Sequence, residues 1–236
     1  PNGKLKEYAA RDLLLRLEER GLIELPKRLR PKNNLKEKAF DQVPLFLKEP
    51  INGSAGEYDP PCVELVHPQG RYLWDYLVHH HHYLGLPKLV GEHLRYLVYI
   101  KGQVVACLSW ASAAWKVKAR DRFIGWDEET KRRNLHLIAN NTRFLILPWV
   151  RVPHLASHVL GAVARRIRAD WQSKYGHGLD WLETFVETER FAGSCYRAAN
   201  WQGVGRTAGR SRQDRDHRRR VPVKAVYLYR LGGRGL

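Results

Sequence analysis

The sequence predicts an α/β (α+β) protein: a mixed β-sheet flanked by helices, with a small helical module ahead of it. Three observations carry that expectation. Two β-rich runs are joined by a two-residue turn signal. One long stretch has helical apolar period. Strands then alternate with helices toward the end of the chain.

The elements follow in order. Residues 7–20 read as a helix, with Ala9, Leu13 and Leu17 on one stripe, Leu14 beside them, and Gly21 placed to end it. Leu22 to Pro26 is short and extended. The phrase ARDLLLRLEERGLIELPKRLRP suits the last helix and first wing strand of a helix-turn-helix module, or equally a helix docked on the main domain. Residues 1–30 are therefore read as a helix-turn-helix-like, winged-helix-like remnant. Residues 31–62, rich in Lys, Pro, Asn and Gly, read as a linker or a chain draped over the surface. Residues 63–236 form the main domain.

Within that domain, Trp74 to Val78 belong to a helix that runs into four consecutive histidines. HLRYLVYI (93–100) and QVVACLSW (103–110) form a hairpin at Lys101-Gly102. RFLILPWV (143–150) is a third strand, with Pro148 at its end or at a bulge. Pro153 opens a helix to about Tyr175, whose apolar stripe is Ala156, Leu160, Val163, Ile167 and Trp171. LDWLETFV (179–186) is a strand, Arg190 to Asn200 a short helix, and Trp201 to Arg206 and Val223 to Leu231 are strands.

The chain has 236 residues, and 41 Lys and Arg against 24 Asp and Glu give a net charge of +17. Such a surplus points to polyanionic partners, and residues 201–236 alone hold ten basic against two acidic residues. Nucleic acid is favoured over membrane, because the basic residues do not share one helix with a strong apolar face. No apolar run reaches the ~18 residues of a transmembrane helix, and the first residues lack a signal-peptide core. Three widely spaced cysteines make neither a disulfide framework nor a zinc pattern, so a cytoplasmic location is expected. With no Met anywhere, the chain is expected to be a piece of a longer protein.

Four features could carry chemistry. His79 to His82 precede Tyr83; adjacent helical residues spread around the axis, so one or two of the four could share a ligand. A strand feeds the helix that opens at His154-Leu155-Ala156-Ser157, a place for an anion, although the turn lacks glycines and Pro153 removes a donor. Glu183 and Glu187 stand on and just past a strand end, followed by a short helix with Tyr196. Finally, GVGRTAGRSRQDRDHRRR reads as a flexible basic loop whose Arg206, Arg210, Arg212, Arg215 and Arg218 would contact DNA phosphates.

Taken together, HHYLG, RDRFIGW, NNTRFLILPWVRVPHLASHVLG and LETFVETERFAGSCYRAANWQGVGRTAGR resemble the DruA-like family. That family is named for the Druantia anti-phage systems, and its members also sit beside transposase genes. The resemblance runs from about residue 60 to 231, and the segment NGKLKEYAARDLLLRLEERGLIELP resembles what precedes the domain in such proteins. A more distant resemblance is to the Mom family of phage DNA modification proteins. Its positions fall on His82, Tyr83, Arg143, Ser157 with Leu160 and Gly161, Glu187, Gly193 and Tyr196. This chain departs from that pattern at His154 (Asn in the family), Glu187 (Asp) and Ser194 (Thr).

The Mom resemblance implies a GNAT-like fold and transfer of a carbamoylmethyl-type group to adenine in DNA, with iron or a small acyl-type donor as cofactor. It implies that His82 or Tyr83 moves a proton or ligates metal, with Glu187 as base or second metal ligand. Arg143, Ser157 and Tyr196 would position donor or base, and His154 and Ser157 would sit at the cofactor. His82, Tyr83, Glu187 and Tyr196 should then line one cleft at the splayed end of the sheet. Double-stranded DNA is the expected partner, with other defence-system or transposase proteins. Two alternatives stay open: a non-catalytic DNA-binding subunit of a defence or transposon system, and a metal-dependent nuclease using His and carboxylates.

Overall fold

Lys101 and Gly102 both take positive φ (48° and 74°). That turn matches the right-handed twist of its flanking strands, and it folds β3 (His93–Ile100) back onto β4 (Gln103–Ser112). In this computed structural model, residues 13–14, 17–18, 20–26, 40–207 and 222–232 are described. They belong to two units, Pro1–Asp41 and Gln42–Leu236.

In the first unit, residues 13, 14, 17 and 18 are helical. Gly21 (φ +68°) ends the helix as its sequence predicts: its N–H reaches the Glu18 carbonyl, and the Leu22 N–H reaches the Leu17 carbonyl.

The second unit is a mixed seven-stranded sheet flanked by helices, in agreement with the expected class. Its further strands are β2 (Cys62–Leu65), β5 (Ile138–Ile146), β7 (Trp181–Glu187), β8 (Gln202–Arg206) and β9 (Lys224–Arg230). Their order is β2-β3-β4-β5-β7-β9-β8. All of β4 except Ser112 is buried, the pattern of a strand covered on both faces. The helices are α1 (Arg71–His81), α2 (Lys118–Ile124), α3 (Glu128–Asn134), α4 (Leu155–Tyr175) and α5 (Ser194–Ala198). Leu160, Val163, Ile167 and Trp171 of α4 are buried, as the stripe requires.

Three expectations need correcting. The segment read as a linker or a chain draped over the surface is not a free linker: Ile51 is buried, and β1 (Ile51–Asn52) pairs in parallel with β6 (Val150–Arg151). The third strand starts at Ile138 rather than Arg143, and Leu147-Pro148-Trp149 turns it into β6. The short helix covers only Ser194–Ala198, because Thr188 to Gly193 form a turn with Gly193 at φ +67°.

What positions the site is the seam between β5 and β7. They pair in parallel only over Ile138–Asn141 and Trp181–Thr184. Beyond that, β5 runs on to Ile146 and β7 to Glu187 without pairing each other, so a wedge opens. A bulge in β5 sits at its root. Ser109 faces Arg143 and Trp110 faces Asn141, which leaves Thr142 as the extra residue. The Asn141 amide donates to the Ser109 carbonyl at 3.1 Å and the Arg143 carbonyl at 3.0 Å, while the Thr142 hydroxyl meets the Ser109 hydroxyl at 2.7 Å. Two asparagines in a strand are unfavourable by propensity. Here one of them closes the bulge.

Candidate functional site

A cavity of about 470 Å³ fills the wedge, within the range of small-ligand sites. Its walls are β5 from Asn141 to Ile146, β7 from Thr184 to Glu187, the end of α1 from His81 to Leu84, Ala156 at the start of α4, and residues 191–196. His82, Tyr83, Arg143, Glu187 and Tyr196 all line it. The four residues expected in one cleft, His82, Tyr83, Glu187 and Tyr196, are thus among its lining, and Arg143 lines it beside them.

His82 caps α1 and turns back into the cavity. Its Nδ1 accepts the Leu84 N–H at 3.1 Å. A backbone N–H only donates, so the neutral ring carries its proton on Nε2. Burial, and then the Arg143 guanidinium, lower its pKa to about 4. His82 is thus a neutral ring whose Nε2–H can donate, not an imidazolium acid.

The Tyr83 ring stacks on His82, with centroids 4.9 Å apart and planes 24° apart, and the Arg190 guanidinium lies over it at 4.8 Å. Burial first, and then the carboxylate of Glu187 to which its hydroxyl donates, raise the Tyr83 pKa. Tyr83 and Glu187 form the polar pair of the mouth. Arg190 adds a longer contact to Glu187, Nε to Oε1, at 3.7 Å. The carboxylate keeps free lone pairs and can accept a proton from an incoming amine, directly or through the Tyr83 hydroxyl.

Arg143 acts differently from its expected role at the substrate. Its Nε donates to the Gly85 carbonyl at 2.7 Å, Nη1 to Thr142 at 2.6 Å, and Nη2 to Leu84 and Leu86, each at 3.2 Å. The guanidinium clamps the 84–86 turn and so fixes His82 and Tyr83. It is a positioning residue.

Tyr196 forms the floor. It is buried; its hydroxyl donates to Asn141 Oδ1 at 2.9 Å and accepts from Thr184 at 3.3 Å. Because the Asn141 amide hydrogens are fixed on two carbonyls, the direction of the Tyr196 bond is set. Burial pushes the Tyr196 pKa well up. Its proton is held by the fold, so the expected catalytic role gives way to a structural one. Phe144, Trp201 and Tyr227 pack around the ring.

Other expected residues lie elsewhere. Ser157 is not in the lining, and its hydroxyl donates to the His154 carbonyl at 2.8 Å. His154 is an exposed left-handed residue (φ +64°) before α4, also outside the cavity. Neither offers a side chain to a cofactor there. Arg206 is exposed on the edge strand β8, and Arg210, Arg212, Arg215 and Arg218 lie outside the described residues.

The expected metal pair does not fit. Among the described residues no three His, Cys, Asp or Glu side chains converge for a metal. To ligate, His82 would have to give up its Leu84 bond, either to free Nδ1 or to take the Nε2 proton onto it. Glu183, the second carboxylate of a nuclease reading, is fully buried against Arg120, Oε2 to Nη1 at 2.9 Å, and lies outside the lining.

The sequence reading missed Asn141, Thr184, Phe191 and Cys195 in the lining. The polar pair Asn140-Asn141 inside a β-rich run was the one signal that could have marked the bulge. Burial raises the Cys195 thiol, which leaves it a poor nucleophile.

Comparison with known proteins gives three results. In structure, the chain is similar to an agmatine N-acetyltransferase at 10% identity and a TM-score of 0.48, over 73% of this chain and 100% of that one. It is similar to the aminoglycoside acetyltransferase AAC(6')-Ib at 11% identity and 0.45, over 72% and 94%, and to a GNAT-family acetyltransferase from Streptococcus pneumoniae at 12% identity and 0.45, over 73% and 99%. These likenesses concern the fold alone. No curated protein matches the chain. The family model described as Druantia protein DruA matches residues 16–223, so the chain belongs to the DruA family.

Proposed function

We propose that the protein is a transferase that modifies a base in DNA, as a part of anti-phage defence or a mobile element. The observation that carries this reading is the convergence of His82, Tyr83 and Glu187 at the mouth of one cavity in the wedge between β5 and β7. The family and the net charge of +17 support it.

In this reading the base is turned out of the duplex, since its reacting atom cannot be reached inside the stack. The Glu187 carboxylate takes the proton from the attacking amine as the amine nitrogen bonds to the acyl carbon; the bond from that carbon to the donor's carrier group then breaks, and the carrier leaves with that proton. The Nε2–H of His82 donates to the oxygen that gains negative charge. Arg143 holds the 84–86 turn that follows the 82–83 pair, and Tyr196 ties β5 to β7 at the root of the wedge. The donor is a small acyl-type molecule occupying the apolar inner wall of Phe144 to Ile146.

The test is nucleoside mass spectrometry of DNA from cells expressing the protein, beside duplex binding by the same preparations. Glu187→Gln should lower modification by ~10²–10⁴-fold, the usual range for one acid–base group. Its duplex affinity should stay within about 2-fold, because phosphate contacts made by Lys and Arg set affinity. Unmodified DNA with intact duplex binding would favour the non-catalytic DNA-binding subunit instead.

A further inference from the structure

The turn after β7 carries a ring to which the proton-transfer reading gives no task. Phe191 is 49% exposed, and Tyr83 at 42% and Leu84 at 46% stand exposed as well. All three line the mouth of the cavity. Large apolar side chains are often exposed one at a time. Three around the opening of a cavity that holds a carboxylate make a rim for a ligand with an apolar face.

Tyr83 cannot supply that face, because His82 stacks on its ring at 4.9 Å and Arg190 lies over it at 4.8 Å. Phe191 can. Its N–H donates to the Glu187 carbonyl at 2.9 Å, as does that of Arg190 at 3.1 Å, so the turn is tied to the end of the strand that carries the carboxylate. Its ring leans on Tyr83 with centroids 5.3 Å apart and planes 55° apart, which braces it from one side. The result is a fixed aromatic surface at the cavity entrance, on the same turn as an arginine and four residues past Glu187.

We infer that Phe191, with Leu84 also on the rim, is the stacking platform for a nucleobase turned out of DNA. The inference rests on the reading that the protein acts on DNA, and it names the residue that receives the base. A planar ring set on Phe191 brings its polar edge toward the Glu187–Tyr83 pair, and the sugar and phosphate stay outside, where the chain's positive charge acts. Stacking of this kind tolerates any base, because every base has a π-face.

The experiment compares a fully paired DNA duplex with the same duplex carrying one unpaired base, titrated at several salt concentrations. Turning out an unpaired base is easier, so wild type should bind it more tightly. Phe191→Ala should lower affinity for the unpaired-base duplex by roughly 5- to 150-fold, the range that removal of one base-stacking ring gives. Its salt slope should not change, since no phosphate contact is lost. Phe191→Trp should keep the preference, which separates loss of stacking from loss of fold. Wild type without a preference, or Phe191→Ala that keeps it, would overturn the platform while leaving the DNA reading standing. A protein that binds neither duplex would overturn both.

Discussion

His82 shows how the chain makes a residue's chemistry by placement. It is one of four adjacent histidines, and the sequence alone could pick it only through resemblance. Its position past the end of α1, its Leu84 bond and its burial decide the outcome. The folded pKa of about 4 lies below the unfolded value near 6.5, so the unfolded chain binds more protons between those limits. Stability from this group is therefore fully present above pH 6.5 and is lost as pH falls toward 4. Denaturant unfolding at pH 7 and pH 4.5 should show wild type losing more stability than His82→Asn, with a slope difference of less than about one proton because the ring is partly solvated. Equal slopes would mean that the histidine is not held neutral. Arg143 and Tyr196 were legible as residues of the cavity, but not in their roles. Whether a guanidinium meets substrate or four carbonyls depends on a turn brought in from 57 to 59 residues away.

At the scale of elements, periodic segments were readable and polar ones were not. The α4 stripe, the Lys101-Gly102 hairpin and the last strand follow from spacing and turn chemistry. In contrast, α2 and α3 (KARDRFI and EETKRRN) carry little apolar period, and they are held instead by charge. Arg120 is fully buried on Glu183 and on the Ala114 and Trp115 carbonyls, and Lys131 bonds Asp121 and Glu128. No local pattern announces partners 63 residues apart. The start of β5 was missed for a related reason: Asn140 and Asn141 oppose strand propensity until pairing with β4 sets the bulge at Thr142. The turn after β7 offers a direct check. A Cβ on Gly193 would lie 2.7 Å from the Tyr227 hydroxyl oxygen and 2.9 Å from its Cζ, at a φ of +67°. The Tyr227 ring is buried and cannot retreat. Gly193→Ala should cost about 1–3 kcal/mol in thermal or denaturant unfolding. A neutral effect would show that the turn is looser than its geometry requires.

For the whole molecule, charge is the feature that sequence gives most directly and structure least. The four arginines Arg210, Arg212, Arg215 and Arg218 lie in the most basic stretch of the chain. If each meets a phosphate, replacing all four with Ala should flatten the salt dependence of duplex binding by roughly 3–4 units, at about 0.9 per contact. An unchanged slope would place the DNA on another face. Affinity and chemistry are separable in the proposed function: the basic stretch 206–218 would hold the polymer, and the wedge between β5 and β7 would act on one base. The measurement that bears most directly on that claim is the mass of each nucleoside in DNA from cells expressing wild type or Glu187→Gln. The account predicts one nucleoside with added mass in the wild-type sample and none in the variant. Wild-type DNA with every nucleoside mass unchanged, from a protein that binds duplex normally, would contradict it.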